Sequence, residues 1–459
     1  MFRTVLVAAL LVLTLPRTTL AAWGEVDTGF SVGGWMNLWS NVWAPIPGAL
    51  MVDSEDRIVT VAQDGTGTLR LLRTFDNGTV DTSFGFLGSV SLSVPGASSA
   101  RVVRLLPGVG NGVVAVGNAE LVDGSWIVVF RLDEDGSLDE KFGEDGFLWT
   151  RGGGVTLDTY VGDAALNGTM NEMLELRGWF APPPPGVEFA FLLILDLAAG
   201  GQMADYSPSL PYPSVSERWL RLADSAASGT CLATLAERDG VLSVFGYLTG
   251  TPQDCGDPTF TLPLTLPGAP GATLRAAGIV RAGNGDFVIA AWVESGLPTK
   301  PTAYFRTLGA TANLRTTWGN QGIAWVDSTS PGHVGFRAAR LLYDPWTGDV
   351  LSIGTELGTG GPFGTVDRVR AARLLADNGA LDPTVPTAGV TGPDSGRHHR
   401  VRDVAIVPGT SRPVAAVSTH LTDGFDVPES WVVGLRSVED LFRDGFESGG
   451  TGTWSLTLP

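Results

Sequence analysis

The chain has 459 residues and a formal net charge of −18, with 48 acidic against 30 basic side chains. That balance, with no basic run, argues against a duplex nucleic-acid binder and against docking on anionic lipid, since both need clustered Lys and Arg. The 61 glycines and 29 prolines leave little room for long helices and suit many short strands with frequent turns.

Met1-Phe2-Arg3 is a short positive start, Thr4 to Leu15 an apolar run, and Thr19-Leu20-Ala21 a small-x-small cleavage site. Residues 1–21 therefore read as an export signal, whose apolar part is too short to span a bilayer. The alternative is a buried N-terminal segment. No Cys follows Ala21 directly, which argues against a lipid anchor. Cleavage leaves 438 residues, expected to be secreted to the periplasm, the cell surface or the medium. No later stretch is long and apolar enough for a membrane span. A chain of this size implies several domains or one repeat array.

One pattern recurs along the chain. Its first copy is Val26-Asp27-Thr28-Gly29-Phe30, with Gly34 four positions on. The second runs from Arg73 through Asp76-Asn77-Gly78 and Asp81 to Phe84 and Gly88. The third and sharpest spans Arg131 to Gly146, with Asp139 and Phe142. Phe84 and Phe142 lie 58 residues apart, and Trp318 follows Phe142 by 176, three such steps. Two steps on from Phe142, Asp257-Pro258-Thr259-Phe260 keeps the Asp-x-x-Phe spacing, with Leu264 in place of Gly. The copy from Arg306 to Gly322 carries Arg315 where Asp is expected, and the last runs from Arg373 through Asp382 to Val385 and Gly389. A copy near residue 200 is placed by spacing alone.

Seven apolar strands accompany the copies: Arg57–Ala62, Gly112–Gly117, Met173–Trp179, Cys231–Ala236, Asp286–Val293, Asp349–Thr355 and Arg412–Ser418. A further strand follows each, most clearly Leu69–Arg73, Trp126–Leu132, Phe189–Leu195 and Ser430–Leu435. Asp-Gly and Asn-Gly pairs between strands are hairpin signals.

The Arg-x-x-x-Asp-Gly-Ser-Leu-Asp-x-x-Phe-Gly-x-x-Gly run resembles the bacterial delta-60 repeat, found in arrays in secreted and surface proteins. The resemblance implies propeller-like β-structure and no particular chemistry. An all-β, seven-bladed β-propeller over residues 22–437 is therefore expected. Blades bury their faces only by stacking in a closed ring. The last blade lacks an outer strand and the N-terminus has one to spare, so Val26–Leu38 is expected to complete it.

Asp81, Asp139, Asp257 and Asp382 read as turn residues, short carboxylates that bond nearby backbone. Phe84, Phe142, Phe260 and Trp318 read as packing between blades, and Gly88, Gly146, Gly322 and Gly389 as positions of special backbone angle. The rival reading is Ca²⁺ binding at acidic turns such as Asp133-Glu134-Asp135, although the EF-hand spacing is missing. No other cofactor is expected. Cys231 and Cys255 are expected to form a disulfide in an oxidising compartment. Among the histidines (His333, His398, His399 and His420), the Arg397-His398-His399-Arg400 stretch reads as a solvated loop.

No nucleophile-elbow, zincin or P-loop pattern is present. The leading reading is a monomeric binding or surface-interaction module for a protein or carbohydrate of unknown identity. The alternative is an extracellular hydrolase or lyase working in the central channel. Loops joining the second and third strands of each blade vary most: Ala181–Gly186, Gly358–Gly364 and Thr422–Pro428. Trp179, beside the first of them, is a candidate recognition residue, with blade packing as the alternative. Residues 438–459 form a tail whose Asp444-Gly445-Phe446-Glu447-Ser448-Gly449 and Trp454-Ser455 resemble an ending common among secreted Gram-negative proteins. A sorting or processing tag and a mobile polar tail are the two readings of it.

Overall fold

Short apolar strands separated by polar turns build seven antiparallel sheets in sequence order around one axis. The computed structural model describes residues 25–39, 46–63, 66–151, 158–166, 173–181, 189–200, 202–208, 217–222, 233–238, 240–246, 260–309, 311–328, 330–344, 347–359, 365–385, 389, 397–410, 412–420 and 429–436. Among these there is no α-helix, and no helix long and apolar enough to cross a membrane.

Blade 1 comprises Ile46–Val52, Ile58–Gln63, Thr68–Thr74 and Ser89–Ser93. Blade 2 comprises Ser99–Pro107, Val113–Leu121, Gly124–Leu132 and Phe147–Thr150. Blade 3 comprises Asp158–Leu166, Met173–Ala181, Phe189–Asp196 and Gln202–Pro208. Blade 4 comprises Glu217–Leu222, Thr234–Arg238, Val241–Gly246 and Phe260–Pro263. Blade 5 comprises Thr273–Arg281, Phe287–Ser295, Thr302–Arg306 and Ile323–Val326. Blade 6 shows His333–Tyr343, Val350–Gly358 and Arg368–Leu374 among the described residues. Blade 7 joins His398–Val407, Arg412–His420 and Glu429–Gly434 to the N-terminal strand Trp35–Trp39. The first strands touch one another successively, and that of blade 7 returns to that of blade 1. The protein is a seven-bladed propeller closed by its N-terminal strand.

The apolar strands bury both faces, because alternate residues serve opposite neighbours. Val113 and Ala115 pack with blade 1, while Val114 and Val116 pack with blade 3. At the closure, Phe30, Met36 and Leu38 join Val414, Ala416 and Val432 of blade 7 against Leu50, Ile58 and Leu72 of blade 1.

The repeated residues form a clip between successive blades. Arg73 donates Nε to Asp81 (2.7 Å), lies 4.7 Å from the centre of the Phe84 ring, and donates Nη1 to the Glu134 carbonyl of blade 2 (2.5 Å). Arg131 repeats this with Asp139, Phe142 and the Leu197 carbonyl of blade 3. The residue after each aromatic donates its N–H to the next blade's turn: Gly85 to Asp135, Gly143 to Gly200, Gly319 to Asn378, and Ser31 of the N-terminal copy to Asn77. That turn carries a glycine whose left-handed backbone and missing side chain are both used. Gly379 has φ +69°, and a Cβ there would lie 2.6 Å from the Trp318 ring.

Asp81, Asp139 and Asp382 each accept a backbone N–H two residues on, from Ser83, Lys141 and Thr384. Phe84, Phe142 and Trp318 are fully buried. Gly88, Gly146 and Gly322 have φ of 86°, 85° and 87°. Gly389 is not in the left-handed region. It is needed for room: a Cβ would meet that of Arg368 at 2.8 Å, and its N–H reaches Glu356 Oε2 at 3.0 Å.

The solvated-loop reading of His398 and His399 is wrong. They open the first strand of blade 7 and are 7 % and 1 % exposed. The expected strands are the second and third of each blade; the first strands, around the axis, are additional to those expected from the sequence. Residues 1–21, Cys231, Cys255, Asp257, the loop residues 182–188, 360–364 and 422–428, and the tail 438–459 lie outside the described residues, as does the Phe260 side chain.

Candidate ligand-binding site

Every first strand carries a β-bulge at the same place. The pairing with the second strand slips at Gly48, Val103, Gly162, Leu220, Ala277, Ala339 and Arg402. Bulges of this kind re-aim neighbouring side chains. Two residues before the bulge stand Arg101, Arg218, Arg275, Arg337 and Arg400 in blades 2, 4, 5, 6 and 7. Ile46 and Tyr160 hold that register position in blades 1 and 3.

Strand alternation explains how an arginine reaches the axis. Ala100 and Val102 are buried on either side of exposed Arg101, Phe336 and Ala338 on either side of exposed Arg337, and His399 and Val401 on either side of exposed Arg400. These buried neighbours fill the gaps between blades, and the guanidinium lines the channel.

Two adjoining cavities open there. One, of about 460 Å³, is lined by Arg101, Arg275 and Arg337 together with Tyr160, Trp179, Trp292, Glu237 and Glu294. The other, of about 250 Å³, shares Arg101, Arg337 and Trp292 and adds Arg400 and Arg402. Trp179 is half-buried and stacks on Tyr160, with ring centres 5.7 Å apart and planes at 25°. The Arg337 guanidinium lies 4.6 Å from the centre of the Trp292 ring. Arg275 bridges Glu237 (3.0 Å) and Glu294 (2.8 Å), and Arg400 contacts Asp367 (3.2 Å).

Burial pushes the Arg402 guanidinium down to about 10, and the neighbouring Arg400, Arg101 and Arg337 push the same way. It remains charged at neutral pH, so several cations share one small volume. Beyond the bulge the channel changes character. Arg340 donates to Asp403 at 2.9 Å, Arg104 approaches Asp163 at 4.0 Å, and Asp403 also accepts the Leu50 N–H at 2.9 Å. Among the described residues the inner level is thus charge-paired, whereas the mouth carries more guanidinium than carboxylate.

The mouth lies at the end of the ring where second and third strands join, since Trp179 and Trp292 fall near the ends of their second strands. The histidines do not enter it. His398 and His420 stack face to face at 5.2 Å, and Nδ1 of His398 accepts the Asp367 N–H at 3.0 Å. Burial first, then Arg400, holds His420 below the usual imidazole range. His399 packs edge-on against Trp35, and His333 Nε2 lies 3.2 Å from the Val366 carbonyl.

Composition hides the arginine level, because five of the seven blades contribute one residue each and no basic run forms. Its signal is an Arg recurring at blade spacing upstream of the apolar second strands of those five blades.

No family model and no curated protein matches the chain. Solved structures similar to it include a virginiamycin B lyase of Staphylococcus aureus (10 % identity, TM-score 0.45, covering 87 % of this chain and 98 % of that one). Another is YCF48 of Cyanidioschyzon merolae (10 % identity, TM-score 0.46, covering 87 % and 99 %). Likenesses at this level carry no argument about chemistry.

Proposed function

We propose that this protein is a secreted binding propeller that captures an anionic ligand at its channel mouth. The observation that carries the reading is the arginine at one register position of five of the seven blades, in a chain whose net charge is −18. An acidic protein repels anions at long range, so concentrating guanidinium in one concave, protein-walled mouth makes a local exception. The channel carboxylates Glu237, Glu294, Asp163 and Asp403 are engaged by arginines, an arrangement that suits binding more than acid–base work. Secretion rests on the Met1–Ala21 pattern, and kinship with delta-60 repeat proteins on the repeat residues alone.

A melting-temperature screen of the full chain tests the reading. Polycarboxylate and sulfated probes are expected to raise the melting temperature, and neutral and cationic analogues to leave it unchanged. A screen in which no anion shifts it contradicts the proposal.

A further inference from the structure

The mouth has two unlike sides. Towards blades 2, 6 and 7 it presents Arg101, Arg337 and Arg400. Towards blades 3, 4 and 5 it presents aromatic rings and two carboxylates bridged by Arg275. Trp179, Glu237 and Trp292 hold the same register position on the second strands of these three consecutive blades, opposite Tyr160, Arg218 and Arg275. The level therefore runs aromatic, carboxylate, aromatic across adjacent blades.

Each part selects a different chemical feature. Indole rings in a cleft bury a flat apolar face, such as the C–H face of a pyranose. Glu237 and Glu294 are acceptors only, and they favour a ligand rich in hydroxyl donors. The arginine forks match carboxylates in bidentate geometry. A polyphosphate offers no hydroxyl donor and no apolar face, and on the blade 4–5 wall it would meet Glu237 and Glu294, two carboxylates that share the single guanidinium of Arg275. An acidic peptide has carboxylates but few hydroxyls. The cavity of about 460 Å³ falls in the size range of small-ligand sites, roughly 300–1,000 Å³.

Resting on the anion-binding reading above, we propose that the ligand is a short uronate-bearing oligosaccharide. Its ring faces lie along the Trp179–Glu237–Trp292 wall and its carboxylates face Arg337 and Arg400.

Calorimetric titration of the full chain with trigalacturonate, its methyl ester, tripolyphosphate and triglutamate tests this. Trigalacturonate is expected to bind best, and the ester at least about tenfold more weakly, the loss of one charge-assisted pair. Trp292→Ala is expected to weaken trigalacturonate by a similar factor. Glu237→Gln, which keeps size and shape but removes one carboxylate from the wall, gives a second readout and is expected to weaken trigalacturonate and tighten triglutamate, so that the gap between them narrows. If tripolyphosphate or triglutamate binds as well as trigalacturonate, the sugar assignment is overturned and anion binding stands. Unchanged trigalacturonate affinity in both folded variants overturns the sugar assignment as well. If no acidic probe binds, the anion-binding reading fails and the sugar assignment falls with it.

Discussion

Arg315 stands where other copies of the repeat carry aspartate, and the structure gives it a partner. Its guanidinium donates to both oxygens of Asp286, at 2.5 and 2.8 Å, and Arg306 donates to the same carboxylate at 2.9 Å. In blade 1 the charges are exchanged: Arg57 opens the second strand region and Asp81 occupies the turn, 4.0 Å away. The pair is kept and its polarity reversed. Restoring the repeat residue with Arg315→Asp is therefore expected to destabilise the protein by at least about 2 kcal/mol, because it sets a second carboxylate beside a buried one. Denaturant unfolding measures this. Burial alone would raise the Asp286 pKa, yet the bonds from Arg315, Gly309, Arg306 and Asn284 outweigh it and hold the group down at about 2, against an ordinary 3.8. A carboxylate with a depressed folded-state pKa contributes stability above its unfolded pKa and loses it as pH falls towards the folded value. The contribution, about 2 kcal/mol, should be complete above roughly pH 4 and disappear towards pH 2. Comparing Asp286→Asn with the parent checks it: the stability gap between them should narrow over that interval, and a constant gap counts against the assignment.

Strands show how legibility depends on what a residue faces. The second and third strands of each blade are readable because both their faces are dry, so they appear as apolar runs broken by Asp-Gly turns. The first strands alternate interblade packing with water, and Ala100-Arg101-Val102 or Phe336-Arg337-Ala338 looks unremarkable in isolation. The Arg397–Arg400 stretch misleads for the same reason, since the buried imidazoles of a strand start resemble a polar loop when only residue types are read. The recurring Asp, aromatic and Gly positions reveal the ring because they clip blade to blade, and so they carry little information about the mouth. The N-terminal strand is legible from arithmetic, a spare copy at one end and a gap at the other. Its residues close the blade 7–blade 1 core through Phe30, Met36 and Leu38. Deleting residues 23–38 is expected to lower the melting temperature by several degrees in a single transition. The milder Phe30→Ala should cost about 3–5 kcal/mol, as for other large buried side chains. An unchanged melting temperature in the truncated chain would show that this strand does not hold the ring shut.

At the scale of the whole molecule, seven similar blades give seven similar positions around one axis. A residue type repeated there becomes a ring, which no single blade can form. Five blades place arginine at that position, a sixth places Tyr160 under Trp179, and the next level inward is charge-paired. An anion entering the mouth thus meets net positive charge first and a balanced level behind it. Attraction of this kind weakens as salt screens it. The most direct measurement is calorimetric titration of a tricarboxylate into the full chain and into the folded Arg337→Gln/Arg400→Gln variant, at low and at high salt. The parent is expected to bind, with affinity that falls as salt rises, and the variant to bind roughly tenfold more weakly or not at all. Equal affinity in the two proteins, or binding indifferent to salt, would contradict capture of anions by the arginine ring.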